Sequence, residues 1–140
     1  MSRNLSAVTL VVPDYDTAIA FYVGTLGFRL CEDTDLGVGK RWVLVAPRHE
    51  RGCALLLAMA DGPEQLGAIG NQTGGRVSFF LETDDFDRDH RAWTSSGVQF
   101  EESPRDEPYG RVAVFVDPFG NRWDLIQRSS AEGRTETGQT

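Results

Sequence analysis

Metal and redox chemistry have few side chains to draw on in this sequence. Of 140 residues only two are cysteine, Cys31 and Cys53, and two are histidine, His49 and His90. The cysteines have no metal-ligand spacing and form no secreted framework, so both read as buried structural thiols. His49 lies in the charged loop PRHERG and His90 between Asp89 and Arg91 on an expected helix, so both read as solvated. No nucleophile stands beside a base, since Ser78 has no histidine near it in the pattern. Apolar runs stop well short of the roughly 18 residues of a membrane span. The opening MSRNLSAVTL has no signal-peptide hydrophobic segment, which makes the cytoplasm the expected compartment. Lys and Arg number 14 against 21 Asp and Glu. The net charge of −7 repels a nucleic-acid backbone and permits, without requiring, a cationic ligand.

What is present is ordinary globular composition, 40% hydrophobic and 25% charged, in one domain by length. That domain is expected over residues 1–128. From Ser129 onward SSAEGRTETGQT has no periodicity, and 129–140 reads as a flexible tail.

The chain echoes itself. SAVTLVVPDYD at 6–16 matches VSFFLETDDFD at 77–87 when Asp14 is laid on Asp85, an offset of 71. The same offset lays RWVLVAP on VAVFVDP and Tyr22 on Trp93, which points to a duplicated half-domain. Each half reads strand, helix, strand, strand, strand. In the first, a strand over 5–12 precedes a helix over about 17–26, capped by Asp14 or Asp16 and ended by Gly27. Strands at 28–32, 41–46 and 53–59 follow. The second repeats this with strands at 76–82, 98–102, 111–116 and 122–127 and a helix over about 86–95. Asp117-Pro118-Phe119-Gly120-Asn121 has the residues of a tight turn between the last two strands.

Strand parity assigns the faces. Val8, Leu10, Phe79, Leu81, Trp123 and Leu125 are expected under the helices. Ala7, Thr9, Ser78, Phe80 and Glu82 take the opposite face, where the alternation Arg122, Asp124, Ile126 also places Asp124. The two curved sheets are expected to form a trough lined by that second face. A lone carboxylate among Trp123, Leu125 and Ile126 is costly to bury unless something satisfies it. Arg122 or Arg41 is the expected partner. The plain structural reading is an ion pair, with Arg41 or Arg111 as further candidates; the functional one is a polar anchor in an apolar pocket. Trp42, Phe80 and Phe115 are candidate walls. The loop Ser103 to Pro108, leading into Tyr109-Gly110, is a candidate flap.

The stretches TLVVPDYDTAIAFYVGTLGF and DPFGNRWDLIQ resemble the vicinal-oxygen-chelate superfamily, which includes glyoxalase I, extradiol dioxygenases and bleomycin-resistance proteins. The resemblance covers about Leu5 to Gln127. It implies an α+β fold of two tandem βαβββ modules, about 4–60 and 74–128, usually in a two-fold dimer. It also implies four metal positions, on the first and fourth strands of each module, where relatives carry His, Gln or Glu. Here these fall on Ala7, Ser78, Asp124 and a position near Leu55. A stable zinc, manganese or iron site needs about three or more protein ligands. Asp124 is the one residue of ligand type, so neither metal nor cofactor is expected. The resemblance then implies a small-molecule pocket that binds or sequesters its ligand, in a homodimer with no nucleic-acid or membrane partner. Two alternatives remain: a divalent-metal-dependent lyase, isomerase or dioxygenase of the same superfamily, and an interaction module with a vestigial trough. No catalytic residue is assigned.

Overall fold

A computed structural model describes residues 2–48 and 52–129, which fall into two compact units divided between Gln72 and Thr73. His49 and tail residues 130–140 lie outside the described residues. No described helix is long and apolar enough to cross a membrane.

Unit one begins with β1 (Ala7–Val12), followed by α1 (Tyr15–Ile19) and a π-helical segment (Ala20–Thr25). The helix starts two residues earlier than the spacing predicts, because Asp14 is its cap: Asp14 Oδ1 accepts from the Thr17 N–H at 2.7 Å. The wider π turn, with Leu26 N–H donating to the Phe21 carbonyl at 2.9 Å, places two consecutive aromatics in the core. Phe21 and Tyr22 are both buried and meet edge to face at 5.0 Å. The strands β2 (Arg29–Gly37), β3 (Lys40–Ala46) and β4 (Ala54–Met59) complete a sheet ordered β1-β4-β3-β2, with β1 and β4 parallel. A short helix, α2 (Pro63–Ala68), follows where no element was expected.

Pairing decides which side chains share a face. Val8 stands beside Leu55, Leu10 beside Leu57, and Val43 and Val45 complete the row. Except for the half-buried Val8 they are buried, and Ala18, Tyr22 and Phe28 complete the core of the unit. Ala7, Thr9, Trp42, Leu44, Leu56 and Ala58 take the other face. Both sheet edges are blunted. The Gln72 side-chain amide binds the β1 backbone like an extra strand, accepting from Val11 N–H and donating to the Thr9 carbonyl. The fully exposed β2 carries Glu32, Asp33 and Asp35, whose like charges oppose strand addition. Cys31 lies exposed on this strand and Cys53 is half-buried, so neither is the buried thiol expected.

Unit two repeats the plan: β5 (Phe79–Glu82), α3 (Phe86–Ser95), β6 (Gln99–Phe100), β7 (Arg105–Glu107), β8 (Gly110–Val116) and β9 (Arg122–Arg128), ordered β5-β9-β8-β6. Asp85 caps α3 through the Arg88 N–H at 3.1 Å, so the two helix caps keep the 71-residue offset. The expected flap is a correction. Arg105–Glu107 forms β7, paired to β8, so the segment before Tyr109 is pinned in the sheet. Pro104, which has no N–H to give, lies in the interruption between β6 and β7. Ser129, the one described residue of the tail, donates its N–H to the Tyr109 carbonyl at 3.0 Å.

The turn from β8 to β9 is held by one carboxylate. Asp117 Oδ1 accepts from the N–H groups of Phe119 and Asn121 at 2.9 and 2.8 Å, and Oδ2 from Asn121 Nδ2 at 2.7 Å. Both side chains are buried, which makes these charge-assisted bonds a firm lock on the β8–β9 register. At the far end Gly110 lets β8 approach β9 closely. A Cβ there would lie 2.3 Å from the Gln127 carbonyl oxygen and 2.8 Å from Arg128 Cα. Gly110→Ala is therefore expected to lower unfolding stability by about 2–3 kcal/mol in urea titration. A loss under about 0.5 kcal/mol contradicts this packing.

Candidate functional site

The register of β9 brings three side chains into one row. Asp124 stands opposite Phe80 of β5 on one side and Val114 of β8 on the other. Phe80 is 69% exposed and Val114 is buried, so Asp124 has an apolar side chain on either side across the sheet, with Arg105, Glu102 and Arg122 as its charged neighbours. Trp123 and Leu125 point the other way and are buried in the core. The carboxylate is half-buried, and its Oδ1 is enclosed without a hydrogen-bond partner. Burial pushes the Asp124 carboxyl above its ordinary value; Arg105 pulls it down, Glu102 pushes it up and Arg122 pulls it down.

The expected arginine partner is the main correction. Arg122 turns to Glu101 at 2.8 Å and to the Gly75 carbonyl at 3.1 Å. Arg41 forks onto Asp33 at 2.7 Å, reaches Asp16 at 2.9 Å and stacks on the Tyr15 ring. Arg111 bonds Asp106 at 2.9 Å and lies over Phe86. Arg105 is shared by Glu107 at 2.6 Å and Glu102 at 3.2 Å, and Arg128 pairs with Glu82. Among the described residues, Asp124 makes no ion pair within 4.0 Å while acids around it hold arginines.

The other sequence candidates are dispersed. Ser78 shares its strand face with Phe80, and its hydroxyl lies 3.0 Å from that of Thr73. Tyr109 is exposed at the β7–β8 turn, within hydrogen-bond reach of Arg105. Ala7 is half-buried at the start of β1, and Trp42 is 41% exposed on the uncovered face of unit one. Phe115 is not a pocket wall. It is fully buried, stacked on Trp123 with centroids 5.8 Å apart and edge-on to Trp93 at 5.5 Å, because it pairs with Trp123 and must share that face.

Strand pairing fixes one position that the sequence left approximate, and the structure adds one feature that the sequence did not show. Thr9 and Phe80 are equivalent by the offset of 71. Thr9 pairs with Leu56 as Phe80 pairs with Asp124, so the unit-one counterpart of Asp124, expected near Leu55, is Leu56. The added feature is a cavity of about 730 Å³ in unit one, beside Trp42, Leu56 and Met59. The Gly37-Val38-Gly39 stretch signals only the tight turn beside it.

The side chains at the four positions implied for a metal are thus Ala7, Leu56, Ser78 and Asp124. One carboxylate and one hydroxyl do not make the donor set that zinc, manganese or iron requires. Among the described residues no three His, Cys, Asp or Glu gather as a metal-holding group. His90 is half-buried, not solvated as expected: it stacks on Phe86 at 5.5 Å and lies tilted against Phe100 at 4.4 Å. The residues do not fit a metal.

Comparison with known proteins agrees with this architecture. The family described as "Glyoxalase/Bleomycin resistance protein/Dioxygenase superfamily" matches residues 4–125. A Shewanella frigidimarina protein described as uncharacterized is 51% identical over 128 residues, covering 91% of this chain and 95% of its own. The crystal structure of UcmS2 is similar with a TM-score of 0.77 at 30% identity, covering 90% of this chain and 98% of that one. TnmS3, an antibiotic binding protein from Streptomyces sp. CB03234, gives a TM-score of 0.73 at 33% identity, covering 91% and 98%.

The raised pKa of Asp124 fixes the sign of a pH effect. The ionised form is disfavoured by folding, so the folded protein carries a penalty above the raised value that vanishes below the ordinary carboxylate range. Asp124→Asn is expected to be more stable than the parent at neutral pH in urea titration, with the gain shrinking towards about pH 4. A destabilisation that is the same at both pH values contradicts an unpartnered carboxylate.

Proposed function

Since the chain belongs to the glyoxalase/bleomycin resistance protein/dioxygenase superfamily, we propose that it binds and sequesters a small molecule without the metal that its catalytic relatives use. The observation that carries this reading is Asp124, a half-buried carboxylate whose Oδ1 has no hydrogen-bond partner, standing beside the exposed Phe80 on the sheet face opposite the core. Small-molecule sites combine an apolar lining with a few oriented polar groups. In this reading Asp124 is the anchor and Phe80 the adjacent apolar wall, with Arg122 and Ser78 on the same face of the unit-two sheet. Similarity to an antibiotic-binding protein across both chains supports a ligand of that class. An anchor that accepts hydrogen bonds favours a ligand carrying an amine or another N–H donor. Residues 1–128 act as one working domain in this proposal, supported by a family match that runs through both units. A cytoplasmic homodimer goes with it, and a monomeric mass by light scattering at micromolar concentration removes the dimer.

The test is a thermal-shift screen with apolar antibiotics, half of them bearing an amine. A ligand at about a hundred times its Kd adds about 2.7 kcal/mol of stability, several degrees in Tm for a chain this size. Amine-bearing compounds should raise Tm most, and Asp124→Asn should remove most of that rise while keeping the fold. Stoichiometric zinc, manganese or iron in protein purified without chelator, lost in Asp124→Ala, would restore the metal-dependent reading.

A further inference from the structure

Val38 is a strained residue with no packing of its own to offset the strain. With Gly39 it forms the two-residue turn between β2 and β3, closed by the Gly37–Lys40 pair. Its φ is 49° and that of Gly39 is 79°, the positive angles of a type I′ turn, for which Asn-Gly is the favoured pair. A β-branched residue is disfavoured there. The Val38 side chain is fully exposed, so no contact within the chain compensates. Strain of this kind, held at a site by the surrounding structure, points to a use for the side chain.

The surroundings suggest the use. Val38 lines the cavity of about 730 Å³ together with Leu36, Trp42, Leu56 and Met59. Leu36, Trp42 and Met59 are themselves exposed, 54%, 41% and 40%. Trp42 and Leu44 alternate along β3, and Leu44 pairs with Leu56, so Trp42 shares its sheet face with these aliphatic side chains. The charged groups lining the cavity cancel: Arg41 is already held by Asp16 and Asp33, leaving Lys40 and Asp61 with opposite signs. The volume lies within the range of small-molecule sites.

We propose that this cavity binds a planar, uncharged aromatic molecule, stacked on Trp42 and gripped by the hairpin tip at Val38. The proposal rests on the small-molecule reading and adds a second locus and a ligand chemistry to it, independent of Asp124. An exposed indole offers a large flat apolar contact, and Met59 adapts to rings of different outline. The turn keeps valine instead of asparagine because the apolar side chain closes over the ligand.

Trp93 and Trp123 are buried, so Trp42 is the accessible reporter among the three tryptophans. The probe is pyrenemethanol, neutral and planar, with anionic pyrenebutyrate and globular adamantanol as controls; Kd is read by calorimetry and location by tryptophan quenching. Pyrenemethanol should quench the emission and bind at least tenfold tighter than either control. Trp42→Ala should abolish the quenching and weaken binding at least tenfold. Val38→Asn, better suited to the turn, should weaken binding at least tenfold with Tm unchanged or higher, and Asp124→Asn should leave this probe's affinity unchanged. Equal affinity in the parent, Trp42→Ala and Val38→Asn overturns this site while leaving the small-molecule reading intact. Failure of pyrenemethanol to bind the parent overturns it too, and amine-bearing hits that depend on Asp124 would keep the broader reading alive. A dimer mass that Val38→Asn abolishes, without an effect on probe binding, makes the tip a contact between copies and overturns the proposal.

Discussion

The pairing of β9 with β5 on one side and β8 on the other is the constraint on which the second unit depends. In this register Trp123 and Leu125 are buried with Phe115 and Ala113, and Asp124 faces away with Phe80 and Val114. A slip of one residue would reverse every side chain, exposing two large apolar groups worth about 2–3 kcal/mol each and driving a carboxylate into the core. The Asp117–Asn121 lock and the close approach at Gly110 hold the two ends of the β8–β9 pair against that slip. The same devices that secure the fold therefore also present the candidate anchor.

Much of this was legible in the sequence because it depends on local period and on repeat. The offset of 71 survives in the two aspartate caps, and two-residue alternation placed Asp124, Phe80 and Trp123 on their faces. What failed depends on pairing between strands, which no local pattern reports. Phe115 was placed by its aromatic character, but its face follows from its partner Trp123. The counterpart of Asp124 was legible only as a position near Leu55, because turn lengths differ between the halves, and the equivalent β1–β4 and β5–β9 registers fix it as Leu56. The charge assignments failed for a related reason. Arg122 shares the face of Asp124, yet its long side chain reaches Glu101, on the segment after β6. The π-helical segment and the strained Val38 turn are tertiary effects, and GVG offered only a hint of the latter.

The uncovered faces of the two units carry different chemistry. In unit one Trp42, Leu56 and Met59 line an apolar cavity with balanced charge. In unit two a carboxylate whose Oδ1 has no hydrogen-bond partner has an apolar side chain on either side across the sheet, with its arginine neighbours engaged by other acids. Neither arrangement resembles a metal-activated centre, and both suit noncovalent capture. Groups held in unfavourable states, a desolvated Asp124 and a positive-φ Val38, fit the common pattern in which sites of function give up some stability.

The central claim is that Asp124 stands free for a ligand and does not serve a metal. Its carboxyl carbon-13 resonance, followed through a manganese titration, tests this most directly. Equimolar manganese is expected to leave the resonance no more broadened than those of surface aspartates such as Asp84. Selective loss of the Asp124 signal at one equivalent of manganese would contradict it.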